Sequence, residues 1–232
     1  MKKYIILILI TIIIVAFGIS FIEYDDSSAA NVGLQEGITY GVESIPNDLK
    51  NISELSSSDK NILCALTKGL VEKNKEGEIV PSLASEVNKS EDGIQYEFKI
   101  RDDVYWSDGS KVTGKDVVTF FKELLKECND DEITCLLQVY GAKDFRDGKV
   151  SFDKGVAINC SDDSVTIRLN NKYDRFLEEL SKPQYRLRSN IIMWNDIMKN
   201  YNNLLYCGDY KIKSADKGNI CLLYTSPSPR DA

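Results

Sequence analysis

Residues 69–118 read GLVEKNKEGEIVPSLASEVNKSEDGIQYEFKIRDDVYWSDGSKVTGKDVV, and they carry the strongest local structural signals of this 232-residue chain. Gly77, Gly93 and Gly109 each follow an acidic residue and predict tight turns, because glycine accepts the positive φ that such turns require. After the second turn, residues 94–100 alternate apolar and polar side chains. Alternation with a period of two predicts a strand with one buried face.

A helix is predicted after the third turn. Thr113 stands three residues before Asp116, which resembles a capping box with Asp in place of Glu. Apolar residues then recur at helical spacing, at Val117, Val118, Phe120, Phe121, Leu124 and Leu125. The stretch therefore predicts a strand, a turn and a helix that pack as one α/β unit. Tyr105 and Trp106 are predicted to be core residues rather than ligand contacts.

The same stretch resembles the signature region of the family 5 extracellular solute-binding proteins, the oligopeptide, dipeptide and nickel binders of ABC importers. The similar motifs follow one another in the family's order, as GLVE at 69–72, GEIVPSLA at 77–84, SEDG at 90–93, WSDG at 106–109 and TGKDV at 113–117. Residues 206–212 resemble the family's Gly-Pro-Tyr-Lys strand, with Asp209 in the place of Pro. Val87 stands where the family usually has Trp, and Gly114 where it usually has Ala. The resemblance covers residues 37–219.

The resemblance implies an α/β fold of the two-lobed type II periplasmic-binding-protein class, of which only the N-terminal part is present. It implies a binding protein rather than an enzyme, with a peptide ligand and ABC transporter permease subunits as partners. When the chain is aligned with the oligopeptide binders at Gly69, the resemblance places one of their ligand-facing strands at Leu55, Ser56, Ser57 and Ser58. The alternative is that these serines only cap the next helix. The other ligand-facing segments are expected in the missing half, so the chain alone is expected not to bind peptide.

Composition excludes several classes of function. The formal net charge of −7 argues against nucleic acid as a partner. The chain has no histidine, so Ser-His and Cys-His nucleophile pairs are impossible. The acidic runs at 102–103, 130–132 and 162–163 stand in turns, where solvated charge is the common explanation. We therefore predict no catalytic residue and no cofactor, with a carboxylate-based hydrolase as a weaker alternative.

Six cysteines stand at positions 64, 128, 135, 160, 207 and 221, without a C-x-x-C pair. A zinc site is not expected from this spacing, which has no histidine near it. Cys128 and Cys135 can pair if the turn at 129–131 folds them back. The preferred alternative is that the cysteines are reduced and buried.

The two ends of the chain are set apart from the domain. Lys2 and Lys3 precede an apolar run at 5–22, which as a helix spans about 27 Å. Residues 1–25 are therefore predicted to be a signal anchor or transmembrane helix that holds the protein on the extracytoplasmic side of the cell membrane. Cleavage near residues 28–30 and secretion is the alternative.

Residues 221–232, CLLYTSPSPRDA, resemble translated adapter sequence and are predicted to be a non-native tail, with a natural disordered tail as the alternative.

Residues 26–220 remain as the N-terminal part of a solute-binding domain. Its other predicted elements are helices within 51–70, at 131–145, at 173–180 and at 191–201, and a hairpin of 156–158 with 165–169. The first helix is expected to bury Ile62, Leu63, Leu66 and Leu70, and the last is expected to bury Trp194. A peptide-sensing receptor with the same fold stays an alternative function, and the identity of the ligand stays open.

Overall fold

The computed structural model describes residues 37–41, 46–161, 163–216 and 219–225. All of them belong to the second of two compact units, Glu36–Ala232. The anchor predicted at residues 1–25 lies outside the described residues and stays a prediction. No helix among the described residues combines the length and the apolar character needed to cross a bilayer.

The elements have the following bounds. The α-helices are α1 (Ser57–Leu66), α2 (Gly114–Glu127), α3 (Ala142–Arg146), α4 (Phe152–Gly155), α5 (Phe176–Leu180) and α6 (Ile197–Asn200). The strands are β1 (Gly37–Gly41), β2 (Val71–Lys73), β3 (Ile79–Pro81), β4 (Ala84–Lys89), β5 (Gln95–Ile100), β6 (Ile158–Ser161), β7 (Ser164–Arg168), β8 (Tyr210–Asp216) and β9 (Asn219–Tyr224). Short 3-10 helices lie at Ile52–Glu54, Leu136–Gln138, Pro183–Tyr185 and Ile191–Asn195.

A four-stranded antiparallel sheet with the order β4-β5-β7-β6 packs against α2 and forms the larger core. The predicted alternation in β5 is confirmed, since Tyr96, Phe98 and Ile100 are buried while the residues between them are exposed. The predicted capping box of α2 is also confirmed. The Thr113 side chain accepts from the Asp116 amide, and Asp116 accepts from the Thr113 amide. The hairpin predicted from residues 156–158 and 165–169 is present as β6 and β7, although its first strand lies later than predicted, at Ile158–Ser161.

A three-stranded antiparallel sheet with the order β1-β9-β8 forms the smaller core together with α1. Strand β9 is central, because it pairs with β1 on one side and with β8 on the other. Ile220, Leu222 and Leu223 are buried in it. The boundary predicted after Ile220 therefore falls inside a strand, and the first residues of the predicted tail belong to the sheet. The origin of the tail stays a prediction.

Helix α1 is shorter than predicted from residues 51–70. It begins after Ser56, whose side chain accepts from the amide of Asp59 in a reciprocal capping box, and it ends at Leu66. Ile62, Leu63 and Leu66 are buried in the smaller core as expected. Leu70 lies beyond the helix and packs in the larger core instead.

Three other predicted helices are broken into shorter pieces. Residues 131–145 hold a 3-10 turn and α3, because Gly141 has a φ of 77° and Tyr140 bonds to Arg168 across a sheet edge. The helix predicted at 173–180 covers only the five residues of α5. Residues 191–201 form a 3-10 helix and α6, with Trp194 fully buried as predicted.

The cysteines and the two aromatic residues of the signature are placed as follows. All six cysteines are free. Cys128, Cys135 and Cys207 are buried, in agreement with the preferred alternative, whereas Cys160 is exposed. Trp106 is a core residue as predicted, but Tyr105 is 50% exposed, so that half of the prediction is wrong.

Candidate functional site

The segment that the resemblance singles out lies directly before α1. Asp48 Oδ1 accepts from the amides of Lys50 at 2.6 Å and Asn51 at 3.1 Å, which turns the chain into the 3-10 helix Ile52–Glu54. Leu55 then returns to an extended conformation before the helix cap at Ser56. The local sequence thus builds a turn closed by Asp48 and then a capped helix start.

The four predicted ligand-binding residues do not share one environment. The Leu55 side chain is only 9% exposed and belongs to the smaller core. Ser56 is exposed, but its hydroxyl is used as the N-cap of α1, accepting from Asp59 at 3.1 Å. Ser57 is exposed and Ser58 half-buried in the first turn of α1. The cap alternative therefore holds for the hydroxyl of Ser56, while ligand binding by any of the four residues stays a prediction.

The main chain of this segment offers more to a ligand than its side chains do. Within the described part of the chain, the carbonyl groups of Glu54 and Leu55 accept no hydrogen bond. The amides of Ser57 and Ser58 likewise donate none to a described residue, since the first amides of a helix have no intrahelical partner. A row of two acceptors and two donors therefore lacks partners among the described residues, where the 3-10 helix passes into the first turn of α1.

A buried carboxylate and a buried guanidinium hold this segment in place. Glu132 Oε1 accepts from the Ser53 amide at 3.3 Å and from the Ser53 hydroxyl at 2.9 Å. Arg188 donates from Nη1 to the carbonyl of Leu49 at 2.7 Å and to that of Lys50 at 3.3 Å. Both side chains belong to the part of the chain that follows α2, so the two cores are joined through them.

Sequence reasoning missed both residues. The sequence predicts solvated charge for the acidic run at 130–132, which is correct for the exposed Asp130 and Asp131 but wrong for Glu132, which is 7% exposed. Arg188 is 1% exposed. The single signal for Arg188 is its position between the apolar residues Leu187 and Ile191, and this pattern does not separate a buried arginine from an exposed one.

The signature motif WSDG also connects the two sheets. The Ser107 amide donates to the carbonyl of Tyr206 at 2.8 Å, and the Tyr206 amide donates to the Ser107 hydroxyl at 3.2 Å. Gly208 follows and donates from its amide to Leu66 at the end of α1 at 3.0 Å. The turn at residues 106–109 is thus a structural anchor for the approach to β8.

Comparison with known proteins identifies the family. The family model described as "Bacterial extracellular solute-binding proteins, family 5 Middle" matches residues 78–228, which is more than half of the chain. The chain belongs to this family. The family 5 resemblance of its motifs is thereby confirmed.

Two curated relatives illustrate how much of a family 5 protein the chain represents. It is 30% identical over 149 residues to the dipeptide-binding protein of Lactococcus lactis subsp. cremoris, covering 61% of this chain and 26% of the relative. It is 34% identical over 112 residues to the oligopeptide-binding protein OppA of Bacillus subtilis, covering 48% of this chain and 21% of the relative. The aligned part of the chain thus spans about a quarter of such family 5 proteins.

Solved structures confirm the fold. The unliganded open form of the periplasmic murein tripeptide-binding protein MppA superposes with a TM-score of 0.68 at 21% identity, over 83% of this chain and 40% of that structure. The substrate-binding domain of an oligopeptide ABC transporter from Bacillus anthracis gives 0.67 at 22% identity, over 82% of this chain and 38% of that structure. The described residues therefore form part of a two-lobed periplasmic-binding-protein fold, as predicted.

Proposed function

We propose that this family 5 chain is the N-terminal part of an extracytoplasmic peptide-binding component of an ABC importer, which delivers its peptide to membrane permease subunits. The printed names of its relatives, dipeptide-binding and oligopeptide-binding proteins, support a peptide as the ligand class. The observation that carries the proposal is the row of main-chain groups at Glu54, Leu55, Ser57 and Ser58 without partners among the described residues.

Main-chain recognition suits a protein that accepts many peptides. An extended peptide that pairs with an exposed main chain gains hydrogen bonds that do not depend on its sequence, while its side chains enter separate pockets. The row of unpartnered main-chain groups at the start of α1 is proposed to provide one side of such a contact. The proposal places the opposing surface in the second lobe, which closes over the ligand about a hinge.

The proposal includes no catalytic step. The chain has no histidine, and Glu132, its buried acidic residue beside the segment, is occupied by the hydrogen bonds from Ser53 and Asn129. The proposal also keeps residues 1–25 as a membrane anchor that places the domain on the extracytoplasmic side. Protease protection of the full chain in membrane vesicles, with and without residues 1–25, tests that part.

A proline substitution tests the main-chain contact selectively. Ser57 is the first residue of α1, where proline is favoured because its missing amide would have no intrahelical partner. Ser56 has φ −62° and ψ 166°, the conformation that a following proline requires. Ser57→Pro therefore removes one donor and leaves the helix intact. Ser57→Ala is the matched control, because it removes the hydroxyl and keeps the amide.

Calorimetry with a mixture of short peptides compares these variants in a protein that joins this chain to the remainder of the two-lobed fold. We expect Ser57→Pro to weaken peptide affinity by about tenfold, the loss of one hydrogen bond in a closed site, and Ser57→Ala to leave it unchanged. The chain alone is expected not to bind. Micromolar binding by the chain alone, or equal affinity of the proline variant, contradicts the proposal.

A peptide-sensing receptor that uses the same fold without transport is the alternative. The two functions share the binding step, so the calorimetric experiment does not separate them. Uptake of labelled peptide by cells that carry the complete protein does. Uptake that is lost when the protein is deleted supports the transport function, and unchanged uptake supports sensing.

A further inference from the structure

One short stretch of the chain holds both ends of the segment that contains α1. This α1 segment, residues 47–69, also contains the row of main-chain groups without partners among the described residues. From the stretch at residues 186–188, Arg186 reaches the end of the segment and Arg188 reaches its beginning. Leu187 between them is buried in the larger core. The stretch therefore links the α1 segment to that core at two points.

Arg186 is bound to the end of α1. Its Nη2 donates to the carbonyl of Cys64 at 3.0 Å, and its Nε donates to the carbonyl of Thr67 at 3.0 Å. The last carbonyl groups of a helix have no intrahelical partner, so a cation at this end satisfies them and complements the helix dipole. The Leu187 amide adds a bond to the carbonyl of Lys68 at 2.8 Å. The end of α1 is thus fixed to this stretch by three partners.

Arg188 holds the beginning of the same segment. Its Nη1 donates to the carbonyls of Leu49 at 2.7 Å and Lys50 at 3.3 Å. Its Nη2 donates to the carbonyl of Gln184 at 2.9 Å, which fixes the guanidinium to its own stretch of chain. Burial lowers the pKa of Arg188 to about 10, although neighbouring carboxylates raise it, so the side chain stays a charged donor at neutral pH.

The row between these two ends is not itself bonded to the later part of the chain. Each described hydrogen bond of residues 54–58 has its partner in the 3-10 helix, in the cap of α1 or in α1 itself. The Leu55 side chain packs in the smaller core. The two arginines therefore act on either side of the row and do not occupy its four main-chain groups.

We infer that Arg186 and Arg188 are positioning residues for peptide binding, which hold the row in one place relative to the rest of the domain. The inference rests on the proposed function, because it concerns the same main-chain contact. The energy of a hydrogen bond depends steeply on distance and angle, so a small displacement of the row weakens the contact. The loss is expected for every peptide alike, since main-chain bonds do not depend on peptide sequence.

Arg186→Lys is the main variant, because lysine keeps the charge but lacks the planar fork that reaches two carbonyls. Arg146→Lys is the matched control. Arg146 Nη1 donates to the carbonyls of Leu125 at 2.6 Å and Cys128 at 2.9 Å, at the end of α2, and its described bonds do not reach the α1 segment. Both variants thus remove the same kind of contact from a helix end, and a general loss of stability does not distinguish them.

The position of the row is measured first without a ligand, by nuclear magnetic resonance of the full 232-residue chain. We expect the amide signals of Ser57 and Ser58 to shift in Arg186→Lys and to stay in place in Arg146→Lys. Arg188→Lys is judged in the same way and carries the test if Arg186→Lys does not fold. Unchanged Ser57 and Ser58 signals in the folded variant overturn the inference, as do equal shifts in the control.

Binding is then measured in the protein that joins this chain to the remainder of the two-lobed fold, with a synthetic mixture of random-sequence peptides. We expect Arg186→Lys to weaken affinity by about three- to tenfold and Arg146→Lys to leave it unchanged. Mass spectrometry of the retained peptides is expected to give the same composition for both. A changed composition in Arg186→Lys means that Arg186 acts on peptide side chains, and it overturns the inference.

Combining Arg186→Lys with Ser57→Pro separates this inference from the proposed function. If both substitutions act on one contact, the double variant loses clearly less affinity than the product of the two single losses. Losses that multiply overturn the positioning role and leave the main-chain contact standing. Unchanged affinity in Ser57→Pro alone contradicts the main-chain contact itself, whatever the arginine variants do.

Discussion

The Ser53 hydroxyl donates a 2.9 Å hydrogen bond to Oε1 of Glu132, across 79 positions of sequence, and the Ser53 amide donates to the same oxygen at 3.3 Å. The other oxygen of Glu132 accepts from the amide of Asn129 at 3.2 Å. One buried carboxylate thus fixes both its own turn and the segment that precedes α1. The candidate peptide-facing main chain depends on this contact for its position.

Glu132→Gln is expected to lower the free energy of unfolding by about 1–3 kcal/mol, because hydrogen bonds to a buried charged acceptor are replaced by weaker ones and an amide donor is introduced. Urea unfolding measures the change, and hydrogen exchange is expected to be faster at the Ser53 amide. Glu127→Gln is the control. Glu127 forms a surface ion pair with Lys50 at 3.3 Å, and such pairs contribute about 0–1 kcal/mol. Equal effects of the two substitutions contradict the positioning role of Glu132.

Ser56→Ala is expected to destabilise the chain by about 1 kcal/mol, because Ser56 caps α1 and its hydroxyl accepts from the Asp59 amide. Ser57→Ala, one position later and without a capping bond, is expected to change stability by less than about 0.5 kcal/mol. Thermal or urea unfolding of both variants is the measurement. A reversed order shows that the cap does not stabilise α1, and it returns the Ser56 hydroxyl to the set of candidate ligand contacts.

The cysteines are expected to react with alkylating reagents in a fixed order. Cys160 is exposed and should react first in the native chain. Burial raises the pKa of Cys207 to about 11 and raises that of Cys135 further, so both remain protonated thiols at pH 8, and the thiolate is the reactive form. Mass spectrometry after timed labelling measures the order, and urea should abolish it. Native labelling of Cys135 at the rate of Cys160 contradicts its burial.

Gly208→Ala is expected to destabilise the chain by about 1–3 kcal/mol, in the range of other overpacked positions. A Cβ at this position would approach the main chain of Ala65 and Leu66 to below 2.5 Å, and these backbone atoms cannot move without shifting the end of α1. Gly77→Ala is the comparison, because Gly77 has open space around it and only a φ of 85° to disfavour a side chain. Urea unfolding should show the larger loss at Gly208. A smaller loss there means that α1 and the approach to β8 separate easily.

The sequence predicted the parts of the fold that local patterns determine. The alternation in β5, the capping box at Thr113 and the apolar face of α2 depend only on neighbours along the chain, and all three are present. The signature motifs also identified the family correctly. Each of these features depends on residues only a few positions apart. Their pattern can therefore be recognised in a single sequence.

The failures have a different physical origin. The helix predicted at 191–201 is broken because its backbone bonds elsewhere: the Trp194 carbonyl accepts from Leu49, and the Ile197 amide donates to Asn47. The central place of β9 has a similar origin on one side, since its partner β1 lies far earlier in the chain, whereas its other partner β8 is the neighbouring strand. Glu132 and Arg188 were missed because burial of a charge is decided by distant partners, which local periodicity does not contain.

The central position of β9 has a consequence for the order in which the domain folds. All strands of the four-stranded sheet precede residue 169, so this sheet can form while the later members of the larger core, Phe176 to Cys207, are still being synthesised. Among the described strands, β1 leaves the ribosome first and β9 last, so β1 has to wait for β9 to pair with it. Closing such a long loop is slow. During translation the early strand is therefore an open edge, exposed to chaperones and to other nascent chains until residues 219–224 emerge.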